Sequence, residues 1–307
     1  MCYNNSEQIY GKGEAIMSDY RILTDSTTDL SPELIREMDV DVIPLYFTVD
    51  GQTYQNDPAG KDMSFSAFYD KLRAGAQSST TQITPERFRE IVEPLLQQGT
   101  DVLYLAFSSG LSGTYNASRL MFEELAEQYP QRKVVTVDTL AASMGEGLLV
   151  YLAAQQKKQG KSLEEVAQWV TDNRLKLSHW FTVDDLNHLK RGGRVSGAAA
   201  FFGTMLNIKP VLHVDDEGHL IPMEKVRGRR QSLDALVDHM AKTGIDNAHQ
   251  TVFISHGDCQ ADVEYVADQI RSRFGTKDIH INYIGPVIGT HSGPGTVALF
   301  FLAENRN

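Results

Sequence analysis

The tightest constraint on this chain is an alternation: short apolar runs and helix-opening signals take turns along its first 177 residues. Arg21–Asp25, Val42–Val49, Asp101–Phe107 and Lys133–Val137 are the runs. Among them stand Ser31-Pro32-Glu33 and Thr84-Pro85-Glu86, each a capping hydroxyl, a proline at the first helical position and an acid in the first turn. The hydroxyl takes up an orphan backbone N–H, the proline has no N–H to leave unpaired, and the acid meets the positive end of the peptide dipoles. Ser162-x-x-Glu165 is a capping box, opening a helix after one that spans about Ala141–Gln159. Ser112–Glu127 reads as a further helix. Strands alternating with helices at this spacing are expected to lie parallel, with helices on both faces.

The pattern changes after Leu177. Trp180–Val183, a short helix and a Gly-rich turn at Arg191–Gly197 lead to a small-residue apolar segment, Ala198–Leu206. Ile208–His213 and His219–Lys225 then flank Asp215-Asp216-Glu217-Gly218, a hairpin turn by composition. Helices near Gln231–Lys242 and Ala261–Phe274 alternate with strands Thr251–Ser255 and His280–Ile284. The expected fold is α/β in two domains: residues 18–177 form a parallel sheet with flanking helices, and residues 178–307 form a mixed α+β domain. Residues 1–17 carry no periodicity and are expected to be a disordered extension.

Bulk properties exclude several classes of function. A net charge of −11 opposes nucleic-acid binding, which needs a basic footprint. No apolar stretch approaches the roughly 18–20 residues of a membrane span, and the polar N-terminus does not read as a signal peptide, so a cytoplasmic location is expected. Two cysteines, Cys2 and Cys259, make neither a disulfide framework nor a metal cage, and the histidines include no His-Glu-x-x-His pair; no metal is expected.

Polar clusters stand where strands end: Asp25-Ser26, Ser79–Gln82, Ser108–Tyr115 and His291–Thr296. Hydroxyls and backbone N–H groups at helix N-termini suit a carboxylate or a phosphate. Each cluster also has a plainer reading. Ser112 can be a helix cap, Thr80 and Thr81 loop residues, His291 a structural hydrogen-bonder and Asp25 a capping carboxylate. Sharper motifs fail on spacing. Gly110-Leu111-Ser112-Gly113-Thr114 lacks the last glycine of a nucleophile elbow, and Gly145-Glu146-Gly147 is not completed as a dinucleotide fingerprint. There is no phosphate-binding P-loop motif.

Taken together, Asp25-Ser26, Asp29-Leu30, Thr80-Thr81-Gln82, Ser109-x-x-Ser112-Gly113-Thr114-Tyr115, Asp138-Thr139, Arg191-Gly192-Gly193-Arg194-Val195-Ser196 and His291-x-Gly293-Pro294-Gly295 resemble the DegV family. Members are fatty-acid-binding subunits of bacterial fatty acid kinases. The motifs run in family order from about residue 20 to the C-terminus. Thr81 and Ile83 depart from the usual Thr-Ser-Gln-Pro, and Thr139 replaces a common serine; the hydroxyls survive, the proline does not. The resemblance implies a two-domain α/β fold with an acyl-chain tunnel and a carboxylate site near the domain junction. Carboxylate contacts would fall on Thr80 and Ser112, with Thr81, His291 and Arg194 beside them.

The resulting expectation is a lipid-binding subunit with no catalytic residue of its own. It would bind a long-chain fatty acid and present the carboxylate to a separate kinase subunit, which would make the acyl-phosphate. ATP and magnesium would belong to that kinase, and this chain would bind no cofactor. Phe201, Phe202, Met205, Leu206 and Ile208 are the expected acyl-pocket residues, since small and flexible apolar side chains can leave a groove; plain core is the competing reading. The rival function is a serine-dependent acyl hydrolase or transferase using Ser112, with His291 as base.

Overall fold

The computed structural model describes residues 20–195 and 207–306. In order come β1 (Tyr20–Asp25), α1 (Pro32–Met38), β2 (Asp41–Ile43), β3 (Tyr46–Val49), β4 (Gln52–Gln55), α2 (Phe65–Arg73), β5 (Ser78–Thr81), α3 (Pro85–Gln97), β6 (Asp101–Ala106), α4 (Thr114–Gln128), β7 (Val134–Asp138), α5 (Met144–Lys158) and α6 (Leu163–Asn173). They are followed by β8 (Leu177–Thr182), α7 (Asn187–Gly192), β9 (Ile208–Val214), β10 (Leu220–Arg227), α8 (Arg229–Thr243), β11 (Val252–His256), α9 (Gln260–Phe274), β12 (Ile279–Tyr283), α10 (Pro286–Ser292) and β13 (Val297–Leu302). Among the described residues the strands form three sheets: β2-β1-β6-β7, β4-β3-β5 and β10-β9-β8-β13-β11-β12. Residues 1–17 lie outside the described residues.

The first sheet is parallel throughout, as its helix-separated strands require. Both its faces are buried, so its strands read as continuous apolar runs. Ile22, Leu103 and Leu105 pack with Leu34, Leu148 and Val166 on one side. Leu23, Val102 and Tyr104 pack with Phe88, Val92 and Met121 on the other. The helix starts are those the caps announce. Ser31 Oγ accepts from the Leu34 N–H, Thr84 Oγ1 from the Arg87 N–H, and Ser162 and Glu165 close both halves of the box.

Two expectations change. Val42–Val49 is two strands, because Pro44 has no N–H to give to a ladder. The next N–H, that of Leu45, turns instead to Ser26 Oγ at 3.0 Å. The chain thereby leaves the parallel sheet, and β3 pairs antiparallel with β4 and β5. Thr80 and Thr81 are accordingly strand residues, with Phe47 opposite Thr80 and Tyr46 opposite Thr81. The helix expected from Ser112 starts at Thr114 and is capped by Gly113, so Ser112 stands just outside it.

The mixed sheet has α8 and α9 on one face, where Leu233, Leu236, Val263 and Ile270 meet Val297, Leu299 and Phe301. Its other face carries Phe181, Ala298 and Phe300 toward Leu148 and the first half of the chain. Helix α5 lies between the two large sheets and is buried nearly all round over its first half. Gly145 and Gly147 permit that fit. A Cβ at Gly145 would overlap the His179 ring, and one at Gly147 would stand 2.8 Å from the Thr28 carbonyl oxygen.

One buried cation ties the layers together. Arg306, only 2% exposed, donates to the carbonyls of Leu177 (3.0 Å), Leu140 (2.7 Å), Asp215 (2.9 Å) and Arg174 (2.7 Å). Burial pulls its pKa down to about 10, so it remains charged at neutral pH.

Candidate functional site

A cavity of about 330 Å³ lies between the two halves. Phe107, Leu111 and Ala142 line it from the loops after β6 and β7. Phe181, Ala298 and Phe300 line it from the mixed sheet, and Val287 and Ile288 from α10. The walls are therefore mostly aliphatic and aromatic. Thr80, Ser112, Arg194 and His291 bring polar groups together at one end, while Thr27, Ser143 and His179 also line the cavity.

At that end Thr80 Oγ1 and His291 Nε2 stand 2.9 Å apart, across 211 residues of sequence. Ser112 Oγ lies 3.0 Å from Thr114 Oγ1 and accepts from the Thr114 N–H at 3.2 Å. Arg194 Nε donates to the Leu111 carbonyl at 3.3 Å, and its Nη1 to the Gly192 carbonyl, which places the guanidinium beside Ser112. A Cβ at Gly192 would overlap His291 Nδ1, so the glycine lets α7 close on α10. Burial, then the positive charge of Arg194, holds the His291 pKa at about 4. The ring is neutral at pH 7 and offers one donor and one acceptor.

A second hollow, about 300 Å³ and mainly polar, lies on the other side of this group. Thr80, Arg194 and His291 line both spaces. Arg191 and His188 line only the second, where an Arg191 Nη2–His188 Nδ1 contact of 2.9 Å joins them. No carboxylate residue lines it among the described residues, so two arginines face one opening in a protein of net charge −11.

The sequence-expected residues Thr80, Thr81, Ser112, Arg194 and His291 all border the cavity. The expected acyl residues fare differently. Phe201, Phe202, Met205 and Leu206 lie outside the described residues, and Ile208, at the start of β9, is not among those lining the cavity. Sequence reasoning missed Phe181, His179, Ala298 and Phe300. Their signal was the two-residue period of strands whose faces are both buried, which an unbroken apolar run conceals. The geometry does not assemble a serine–histidine–acid relay. Ser112 Oγ is engaged with Thr114, His291 Nε2 with Thr80, and His291 Nδ1 has no hydrogen-bond partner among the described residues. Nor does any group of three or more His, Cys, Asp or Glu side chains there suit a metal ion.

Behind the cavity wall sits a buried carboxyl network. The Thr27 hydroxyl, on a residue that lines the cavity, contacts Asp25 Oδ1 and Glu146 Oε2 (2.9 Å to the latter). The Thr24 hydroxyl contacts the Leu105 carbonyl at 3.0 Å and Glu146 Oε1 at 3.3 Å. Thr27 has one hydroxyl proton for two carboxyl contacts, so a protonated carboxyl, Asp25 or Glu146, donates in the other. Burial, reinforced by the neighbouring Asp25, pushes Glu146 well above the ordinary carboxylate range. An unfolded-chain glutamate titrates near about 4.3. The native state thus holds a proton that the unfolded state releases. The resulting stability is full below the unfolded value and is lost as pH rises through the folded one. Glu146→Gln, always neutral, is expected to escape that loss. Urea unfolding from pH 5 to 8 should show wild type weakening relative to the variant by up to about 1.4 kcal/mol per pH unit. Parallel stability curves would refute a protonated Glu146.

Among the described residues no helix is long and apolar enough to cross a membrane. Residues 19–304 match the family described as "Uncharacterised protein, DegV family". A DegV domain-containing protein of Clostridium perfringens is 47% identical over 290 residues, which cover 94% of this chain and 99% of that protein. Two solved structures are each 31% identical with a TM-score of 0.82. One is a DegV lipid-binding protein of Thermotoga maritima, with 94% of this chain and 100% of that one covered. The other is a DegV family protein of Thermus thermophilus described by its fatty-acid binding, with 93% and 99% covered. With the family's pattern spanning nearly its whole length and a relative that close, the chain belongs to the DegV family.

Proposed function

We propose that this chain is a cytoplasmic carrier that binds one long-chain fatty acid and presents the carboxylate to a separate ATP-dependent kinase, which forms the acyl-phosphate. The observation that carries this reading is a mainly apolar cavity at one end of which hydroxyls, a neutral histidine and an arginine converge. Each buried methylene contributes about 0.8 kcal/mol, so a chain of about 14–16 carbons gains roughly 10 kcal/mol gross, reduced by the ordering of a flexible ligand. The tail supplies affinity and the head supplies orientation. A carboxylate buried without partners would cost several kcal/mol. Ser112 and Thr80 offset this by donating hydrogen bonds, Thr80 freed to do so because its oxygen accepts from His291 Nε2–H. Arg194, its Nε and Nη1 committed to carbonyls, contributes charge rather than a two-pronged clamp.

Presentation follows from the shared rim. A head group at Thr80 and His291 lies between the cavity and the outer hollow, where a kinase delivering phosphate from magnesium ATP would meet Arg191 and Arg194. The lipid- and fatty-acid-binding descriptions of the Thermotoga and Thermus relatives support the ligand class. The test begins with native mass spectrometry and lipid identification on protein purified from bacteria. A non-covalent fatty acid is expected, followed by phosphate transfer to it when a fatty acid kinase and magnesium ATP are added. A covalent acyl group on Ser112 would favour the hydrolase or transferase instead. Failure to bind any fatty acid, or binding without phosphate transfer by any such kinase, would overturn the carrier or its presenting role respectively.

A further inference from the structure

The strand residues that the mixed sheet gives to the cavity share one face, and the registers order them into rows. Phe181 stands opposite Ala298, and His179 opposite Phe300. The β8–β9 pairing sets Val214 beside His179, one step past the Trp180–His213 rung, and Leu220 pairs with Val214. Phe300, His179, Val214 and Leu220 therefore make one continuous row across four strands, and all four line the cavity. The next pair on that face, Leu302–Leu177, does not line it.

This row stands away from the carboxylate end. β13 begins at Val297, just after α10, the helix that carries His291. The Phe181–Ala298 pair comes first along it, and the Phe300–His179 pair lies about 7 Å of strand further on. The cavity thus runs past a small residue, Ala298, and meets two rings packed edge to face at 5.4 Å. Both ring nitrogens of His179 are closed off, without a hydrogen-bond partner among the described residues, so the ring acts here as bulk.

Two supports hold the row in place. Helix α5 stands hard against one end of it, where a Cβ on Gly145 would overlap the His179 ring and lie 2.7 Å from a Phe300 ring carbon. The β9–β10 turn braces the other end. Ser108 Oγ donates to the Gly218 carbonyl at 2.9 Å, and Arg306 Nη1 donates to the Asp215 carbonyl at 2.9 Å. A Cβ on Gly110 would be 2.8 Å from the Glu217 carbonyl oxygen, so the turn sits directly on the loop after β6.

We propose that this row is the stop that sets the maximum length of the acyl tail, with Phe300 and Leu220 as specificity-determining residues. This rests on the fatty-acid reading of the cavity. Each methylene that a tail buries contributes about 0.8 kcal/mol, or about fourfold in affinity. Once the terminal methyl meets the row, a further carbon must buckle the chain or push braced side chains aside, as overpacking does. The gain then ends.

The test measures binding of straight-chain saturated acids from decanoic to docosanoic to the delipidated full chain. On wild type, affinity is expected to rise about fourfold per carbon and then break to a plateau or a fall. Phe300→Leu and the milder Leu220→Ala, which removes an isopropyl group, should move the break to acids longer by about one to three carbons, since a cavity relaxes only in part. Val287→Ala, on the α10 side wall, should change affinity without moving the break. On wild type, an acid of the break length with a diazirine at its last carbons should label peptides containing Phe300, Val214 or Leu220 on photolysis. A rise that continues to docosanoic acid, a break unmoved by both row variants or moved equally by Val287→Ala, or a label confined to other walls would each overturn the proposal and leave the fatty-acid reading standing. If no acid binds, both fall. The wild-type series and the labelling need no substitution, so misfolding of a variant cannot decide the outcome.

Discussion

Thr80→Val combined with Ser112→Ala is expected to lower fatty-acid affinity by roughly two orders of magnitude at a cost of only about a few degrees in melting temperature. Hydrogen bonds to a charged group contribute about 1.5–3 kcal/mol each, or roughly 10- to 150-fold in affinity, and neighbouring contacts add incompletely. Valine keeps the shape of threonine and removes only the hydroxyl opposite His291 Nε2. Alanine at position 112 removes the oxygen beside Arg194, and with it the acceptor of the Thr114 N–H at the first turn of helix α4. The effect should fall on the dissociation rate, because the tail still fills the cavity but the head is unanchored. Displacement of a fluorescent fatty acid measures it. Affinities within about twofold of wild type would remove these hydroxyls from the carboxylate site.

The largest effect on stability should come from Arg306→Met. The side chain serves carbonyls from four separate segments: the β7–α5 connection at Leu140, the turn after α6 at Arg174, the start of β8 at Leu177 and the β9–β10 hairpin at Asp215. Methionine preserves much of the apolar stem but leaves buried acceptors unpaired. A cost of about 3–5 kcal/mol is expected, in the range seen when a buried charged partner is removed. Desolvation of Arg306 itself, visible in its depressed pKa, is why the figure is not larger. Urea unfolding provides the measurement. A loss below about 1 kcal/mol would mean that water takes over those carbonyls.

The sequence announced whatever is decided within a few residues. Ser31, Thr84 and the Ser162–Glu165 box each place a hydrogen bond to an N–H three positions away, so the starts of α1, α3 and α6 could be read locally. β5 could not. Ser78–Thr81 has no apolar alternation, and its order comes from pairing with β3 some thirty residues earlier. β13 was hidden for the opposite reason: with both faces buried, Val297–Leu302 is apolar throughout and shows no period.

The site divides in the same way. Thr80, Ser112, Arg194 and His291 were gathered by resemblance, since nothing in their local sequence brings Thr80 to within 2.9 Å of His291. The cavity wall drew less from the sequence, because alternate residues of β8 and β13 become a surface only when the sheet meets α5 and the β6 loop. The orphaned state of His179 is further still from the sequence, being a property of everything that surrounds it.

The cavity is a seam between two layers, not a hole within either one, with Leu111 on one bank and Phe181 on the other. Whatever fills it touches both banks at once and acts as mortar. A molecule bound at a hundred times its dissociation constant adds about 2.7 kcal/mol to the folded state, and here that gain would be spread across the joint. Cargo and architecture then become hard to separate, and loading the protein is also a way of finishing its assembly.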